Sequence, residues 1–253
     1  MEKLIGRCWV SLFKDFEQNY QKGFLLHNHY ENIHKLKDKI DKNEIYLMQN
    51  KNNFFFYEKQ KLYFFINQFD NFNLKPSYVG IFNKKENDLA KYDSFLKKNH
   101  FKIHQNFLQM SLKNENLQIL FFDHIKQAEK KDCQECYDFF KVFFDTNYLF
   151  LANPKNLENL NKNILVYKEQ GVIGGALFYT QSFQTAFLDF IAVKQGLKYK
   201  NIAFALLNHY FLINKENKFF KLFVEEKNEK AINFYKKVGF VFNNISLKFY
   251  KNF

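Results

Sequence analysis

A chain of 253 residues with 47% hydrophobic and 20% aromatic side chains has material for one large core or two smaller ones, filled mainly by Phe and Tyr. Its net charge of +12 is almost all Lys, with Arg7 the only arginine. Base readout and bidentate phosphate gripping favour Arg, so the charge argues against a dedicated nucleic-acid binder and leaves an acidic substrate or anionic cofactor open. No run of about 18 apolar residues could span a bilayer, and residues 1–20 lack a signal peptide's apolar core and cleavage site, so a globular cytoplasmic protein without a membrane role is expected.

In chain order, residues 45–50, 54–57 and 62–66 read as three successive strands, each a short β-favouring apolar run. Only the polar stretch 67–77 separates them from a fourth strand at 78–82. Residues 95–101 read as a helix end running into a strand, and the join to a second half falls near Lys113 to Glu115. Beyond it, residues 117–130 and 134–145 carry helical apolar spacing, and Pro154 marks a loop. The second of these helices places Cys133, Cys136, Tyr137 and Phe140 at helical spacing, so its C-x-x-C reads as core rather than as a metal or redox motif. A closed zinc site needs four ligands and only His124 is near in sequence, so no metal is expected.

Residues 163–168 and 172–180 flank Glu169-Gln170-Gly171 as a hairpin, and a strand at 186–193 follows. A polar loop then leads into an amphipathic helix at 202–214, with Ala203, Leu206, Leu207 and Tyr210 on one stripe. A strand at 221–225, a helix at 229–238 stopped by Gly239 and a strand at 246–250 close the order α-α-β-β-β-α-β-α-β.

The two halves share a pattern. Phe95-Leu96-Lys97-Lys98-Asn99-His100-Phe101 resembles Phe234-Tyr235-Lys236-Lys237-Val238-Gly239-Phe240, and each is followed seven positions on by an apolar strand residue, Leu108 and Leu247. Three strands precede the 67–77 stretch as three precede the loop after residue 193. The first half, however, has no room there for a loop and a helix.

Two segments of the second half, DFIAVKQGLKYKNIAFALLNHYF and FVEEKNEKAINFYKKVGF, resemble the GCN5-related N-acetyltransferase (GNAT) superfamily over roughly residues 117–250. The resemblance implies an α/β (α+β) fold of tandem GNAT-like domains, each a mixed, mostly antiparallel central sheet flanked by helices. Residues 1–113 would be a degenerate, non-catalytic copy and residues 114–253 the acetyltransferase domain. The family's phosphate-loop pattern falls on Lys198, Asn201 and Ala203, with Asn201 in place of a glycine, a position where Asn can adopt the left-handed backbone. Backbone amides from Lys198 through Tyr199, Lys200, Asn201 and Ile202 to Ala203 would meet the pyrophosphate of acetyl-CoA at a helix N-terminus. The backbone of Phe190, Ile191, Ala192 and Val193 would pair with the pantetheine arm. Asn228, Ala231 and Phe234 would order or line the cofactor groove.

By the same resemblance Tyr235 is the general acid, a phenol that stays protonated at neutral pH. The family's common acidic position falls on Phe223, which leaves Asp189 ahead of Glu225 as the base. The implied reaction moves an acetyl or other acyl group from acyl-CoA to a primary amine of a small molecule or protein. The alternatives are transfer dependent on aminoacyl-tRNA or on acyl carrier protein, whose acidic surface suits a basic rim, and a non-catalytic CoA-binding regulator.

Overall fold

The computed structural model describes residues 8–84, 89–115, 117–149 and 151–253; Arg7 and the start of the segment weighed as a signal peptide lie outside the described residues. Its elements are α1 (Cys8–Lys22), β1 (Leu26–His27), α2 (His34–Asp41), β2 (Tyr46–Asn50), β3 (Asn53–Glu58), β4 (Lys61–Ile66), β5 (Tyr78–Asn83), α3 (Asp93–Lys98) and β6 (Lys102–Lys113). There follow β7 (Ile125–Gln127), α4 (Cys133–Phe143), α5 (Pro154–Glu158), β8 (Ile164–Glu169), β9 (Val172–Ser182), β10 (Thr185–Val193), α6 (Ile202–Ile213), β11 (Phe219–Glu225), α7 (Glu229–Val238) and β12 (Val241–Lys251). No helix among the described residues is long and apolar enough to cross a membrane.

The chain forms two compact units, Met1–Asn106 with Ile245–Phe253, and Phe107–Asn244. Two differences from the expected division at 113/114 stand out. The first unit ends seven residues earlier, and the chain's last strand belongs to it. β12 pairs with β5, Leu247 opposite Phe82, whereas residues 107–113 of β6 pair with β11, Leu108 opposite Val224. Apolar alternation specifies a strand and its buried face but not its neighbour, so sequence assigned both strands to the wrong unit.

In the N-terminal unit the sheet order is β2-β3-β4-β5-β12, with β4 and β5 parallel. β3 and β4 are apolar throughout because helices cover both faces. Phe54, Phe56 and Phe65 pack with Phe13 and Phe16 of α1, while Phe55, Leu62, Phe64 and Ile66 pack on the other face with Phe95 of α3. The parallel ladder has a single rung, Lys61 opposite Tyr78. Beyond it, the β4 edge facing β5 is taken by the chain itself. Leu26 and His27 pair with Ile66 and Phe65, and buried Asn28 follows them. The Asn28 side chain donates to Leu62 O (2.9 Å) and Gly80 O (3.3 Å) and accepts from Phe64 N (2.7 Å), so it bridges the two strands where they part.

The repeat seen in sequence is also a repeat of backbone geometry. His100 (φ 60°) and Gly239 (φ 106°) both turn left-handed after their helices. Phe101 N donates to Leu96 O (2.9 Å) and Phe240 N to Tyr235 O (3.0 Å), the same helix-ending bond at matching positions. Residues 67–77 contain no helix, in keeping with their shortness.

In the C-terminal unit the order is β6-β11-β10-β9-β8-β7, with β10 and β11 parallel and the rest antiparallel. The helix expected at 117–130 does not form. Leu117 and Ile119 pack on the core while Leu120 and Phe121 are exposed, an alternation that suits extended chain and would split one helical face. Leu120 N is satisfied by the Asn208 side chain at 2.9 Å, and β7 then pairs with β8. Pro154 opens the short helix α5, with Asn153 as its cap, instead of lying in a loop.

Replacing Asn28 by Ala should strand the buried Phe64 N–H and the carbonyls of Leu62 and Gly80, and lower unfolding free energy by about 1–3 kcal/mol. Urea denaturation of Asn28→Ala measures this; an unchanged midpoint and slope would show that the bridge contributes nothing.

Candidate active site

Asp189 sits where β10 changes its buried face. Ala186 and Leu188 belong to the core beneath α6, but Phe190 and Ala192 belong to the core beneath α4. Unbroken alternation would keep all four on one side, and the register against β9 does shift between Leu188 and Phe190, as at a β-bulge. The parallel ladder with β11 runs from Thr185 opposite Phe219 to Leu188 opposite Leu222 and stops there. Phe190 to Val193 keep their pairing to β9, so their β11-facing edge has no strand on it among the described residues.

That open edge leads to the start of α6. Lys194 N donates to Gly174 O (2.8 Å), the loop turns at Gly196 (φ 77°), and Asn201 holds φ 63°, ψ 24°. The left-handed backbone expected of Asn201 is therefore what the chain adopts. No side chain caps α6 and its first turn has no acidic residue, while the first helical bond is Ala205 N to Asn201 O (3.0 Å). Amides at a helix start of this kind, together with the dipole, favour an anion.

Two glycines of β9 permit the approach. A Cβ on Gly174 would come within 2.8 Å of Leu197, and one on Gly175 within 2.8 Å of Ile202 and 3.4 Å of Val193. Adjacent glycines inside a strand are the signal that sequence reading passed over. One loop amide already has an anionic partner: Lys198 N donates to Glu169 Oε1 (2.9 Å), which also accepts from the Tyr167 hydroxyl (3.0 Å). Tyr199 stacks on His124, with ring centroids 5.3 Å apart. Lys200 is exposed, and Ala203 is half-buried in the first turn of α6.

Tyr235 is buried on α7, at 6% exposure, and burial pushes its phenol far above the usual range. Ala231 and Phe234 are partly buried against the same core. The Asn228 side chain accepts from Ala231 N (3.0 Å) and caps α7. Phe223 and Glu225 are half-buried toward the end of β11. Water reaches the Asp189 side chain, yet protein crowds it from nearly every direction, as for a carboxylate on a groove floor. Lost solvation pushes its pKa up to about 7, partly offset by a hydrogen bond with Thr180.

Cys133 and Cys136 are free thiols in the core beneath α4, and burial raises both, Cys136 to about 12. Among the described residues no three His, Cys, Asp or Glu side chains converge as a metal site.

Fold and site together define an α/β domain with an open strand edge leading to a helix start suited to an anion. Residues 124–240 match the sequence model of the acetyltransferase (GNAT) family, and this part of the chain belongs to that family. The chain is similar in fold to a GCN5-related N-acetyltransferase from Sphaerobacter thermophilus, with 13% identity, 70% of this chain and 60% of that chain covered, and a TM-score of 0.53. It thus spans about 60% of the length of the Sphaerobacter protein. An acetyltransferase of the GNAT family from Colwellia psychrerythraea is 12% identical, with 89% and 99% covered and a TM-score of 0.51. A Drosophila protein is 11% identical, with 79% and 75% covered and a TM-score of 0.55. Comparison with curated proteins finds no match.

Two measurements check this geometry. Gly175→Ala should cost about 1–3 kcal/mol by overpacking against Ile202, and an unchanged denaturation midpoint would contradict the close approach. Asp189, raised from an ordinary 3.8 to about 7, binds its proton more tightly in the folded state than in the unfolded state, so it erodes stability as pH rises from about 4 to about 7. The melting temperature of Asp189→Asn should gain on the wild type across that window; a pH-independent difference would mean that Asp189 is not perturbed.

Proposed function

We propose that the Phe107–Asn244 unit transfers an acyl group from acyl-CoA, with acetyl-CoA as the first donor to test, to a primary amine of a small molecule or protein. The observation that carries this reading is the free edge of Phe190–Val193 running from a β-bulge to the uncapped start of α6. A pantetheine arm carries amides that suit such an edge, and a pyrophosphate suits such a helix start. Family membership over residues 124–240 supports the same donor.

In this reading the backbone of Phe190 to Val193 holds the arm. The amides from Lys198 to Ala203, with the charges of Lys198 and Lys200, receive the pyrophosphate once Glu169 releases Lys198 N. Tyr199 and Ile202 shape the loop, Asn228 orders the turn before α7, and Ala231 and Phe234 line the groove. The donor supplies a thioester carbonyl open to attack. Tyr235 keeps a proton on its hydroxyl for the leaving sulfur, as its burial favours. Asp189 is the better base than Glu225, because a carboxyl that titrates near neutrality is matched to removing the proton of an amine.

The N-terminal unit is assigned no cofactor. The β4 edge that corresponds to the open β10 edge is filled by Leu26 to Asn28, and residues 67–77 supply no helix start. Leu96 stands where Tyr235 stands in the second copy and has no proton to give.

Calorimetric titration should therefore give one CoA per chain, with Ala203→Asp folded but not binding. Tyr235→Phe should keep CoA affinity while turnover falls roughly 10²-fold or more. Leu96→Ala should cost stability, about 2–5 kcal/mol, and leave turnover of the folded protein intact. No binding of CoA at millimolar concentration would overturn the proposal, and binding only of acyl carrier protein or aminoacyl-tRNA in the same titration would transfer it to those donors.

A further inference from the structure

Tyr210, in the second half of α6, is wholly buried, and its hydroxyl has no hydrogen-bond partner in the protein. Its ring lies 5.4 Å from that of Tyr179 and 5.4 Å from that of Phe220. Those two residues pair with Leu188 and Ala186, on either side of β10. Tyr210 is thus bracketed beneath the last closed rungs of β10, where the strands begin to part at Asp189. The titratable groups facing its hydroxyl are Asp189 from β10, Tyr179 from β9 and Tyr235 from α7. Tyr179 already gives its own hydroxyl proton to Lys162 O at 3.2 Å. Asp189 and Tyr235 remain. A phenylalanine would fill the same space without leaving a buried hydroxyl unpaired, so packing alone does not account for the tyrosine.

We infer that Tyr210 is a positioning residue whose hydroxyl carries a proton from the Asp189 carboxyl to the Tyr235 hydroxyl, a role that rests on the acyl-transfer reading above. The proton balance closes within the chain. As the N–C bond forms and the C–S bond breaks, the Asp189 carboxylate takes the amine proton and Tyr235 gives its hydroxyl proton to the leaving sulfur. Tyr210 then gives its proton to the Tyr235 phenolate and takes the one held by Asp189. Base and acid both return to their starting forms with no outside co-reactant.

The test is Tyr210→Phe, read first in the unliganded protein and then in turnover. The variant should melt at or above the wild-type temperature and bind CoA within about twofold of wild type. The Asp189 carboxyl, followed by NMR without ligand, should shift its titration midpoint, and kcat should fall about tenfold or more with KM little changed. Full turnover in the folded variant overturns the relay. Reduced turnover with an unmoved Asp189 titration overturns it too, since the hydroxyl would then serve Tyr235 alone. A wild-type protein that binds no CoA is a different failure, that of the acyl-transfer reading itself.

Discussion

A strand edge inside a protein cannot be left bare: each backbone N–H and C=O must find a partner in the chain, in water or in a ligand. Both units meet this demand at the same place, the parallel pair where two strands separate after a few rungs. In the N-terminal unit the chain settles it internally, with Leu26, His27 and the bridging side chain of Asn28 filling the gap between β4 and β5. In the C-terminal unit the bulge at Asp189 opens the gap, and the edge from Phe190 to Val193 stays available. Two copies of one helix-ending geometry thus serve different ends, one closed for stability and one open for a ligand.

The open copy concentrates its chemistry around that opening. The bulge turns Asp189 into a crowded groove and so raises its carboxyl toward neutrality, while α7 buries Tyr235 and keeps its phenol protonated. Close approach at Gly174 and Gly175 lets the loop and the start of α6 lie against β9, next to Val193. Glu169 holding Lys198 N shows that a loop amide is already directed at a carboxylate, the kind of charge a phosphate would bring.

Much of this was legible in sequence where the signal is local. α7 was read at its observed bounds because Asn228 caps it and Gly239 ends it, and the backbone of Asn201 followed from what Asn tolerates. Nonlocal choices were not legible. Leu108 and Leu247 carry the same strand pattern, and nothing near either reveals that each pairs within the other unit. The stretch at 117–130 misled because its apolar residues suit a helix by spacing, yet Leu117 and Ile119 are the ones buried. Asn28 reads as an ordinary loop residue until β4 and β5 are seen to part around it. Asp189 and Tyr235 could be named from resemblance, but the bulge that gives Asp189 its environment depends on strand register, which one sequence does not display.

The contrast between the open and the filled edge is most directly measured by amide hydrogen exchange with and without CoA, since pairing to a ligand protects a backbone N–H as pairing to a strand does. Added CoA should slow exchange at Phe190 to Val193 and at Lys198 to Phe204 while leaving Phe64 to Ile66 unchanged. Equal protection of both edges, or none at Phe190 to Val193 with CoA bound, would contradict the account.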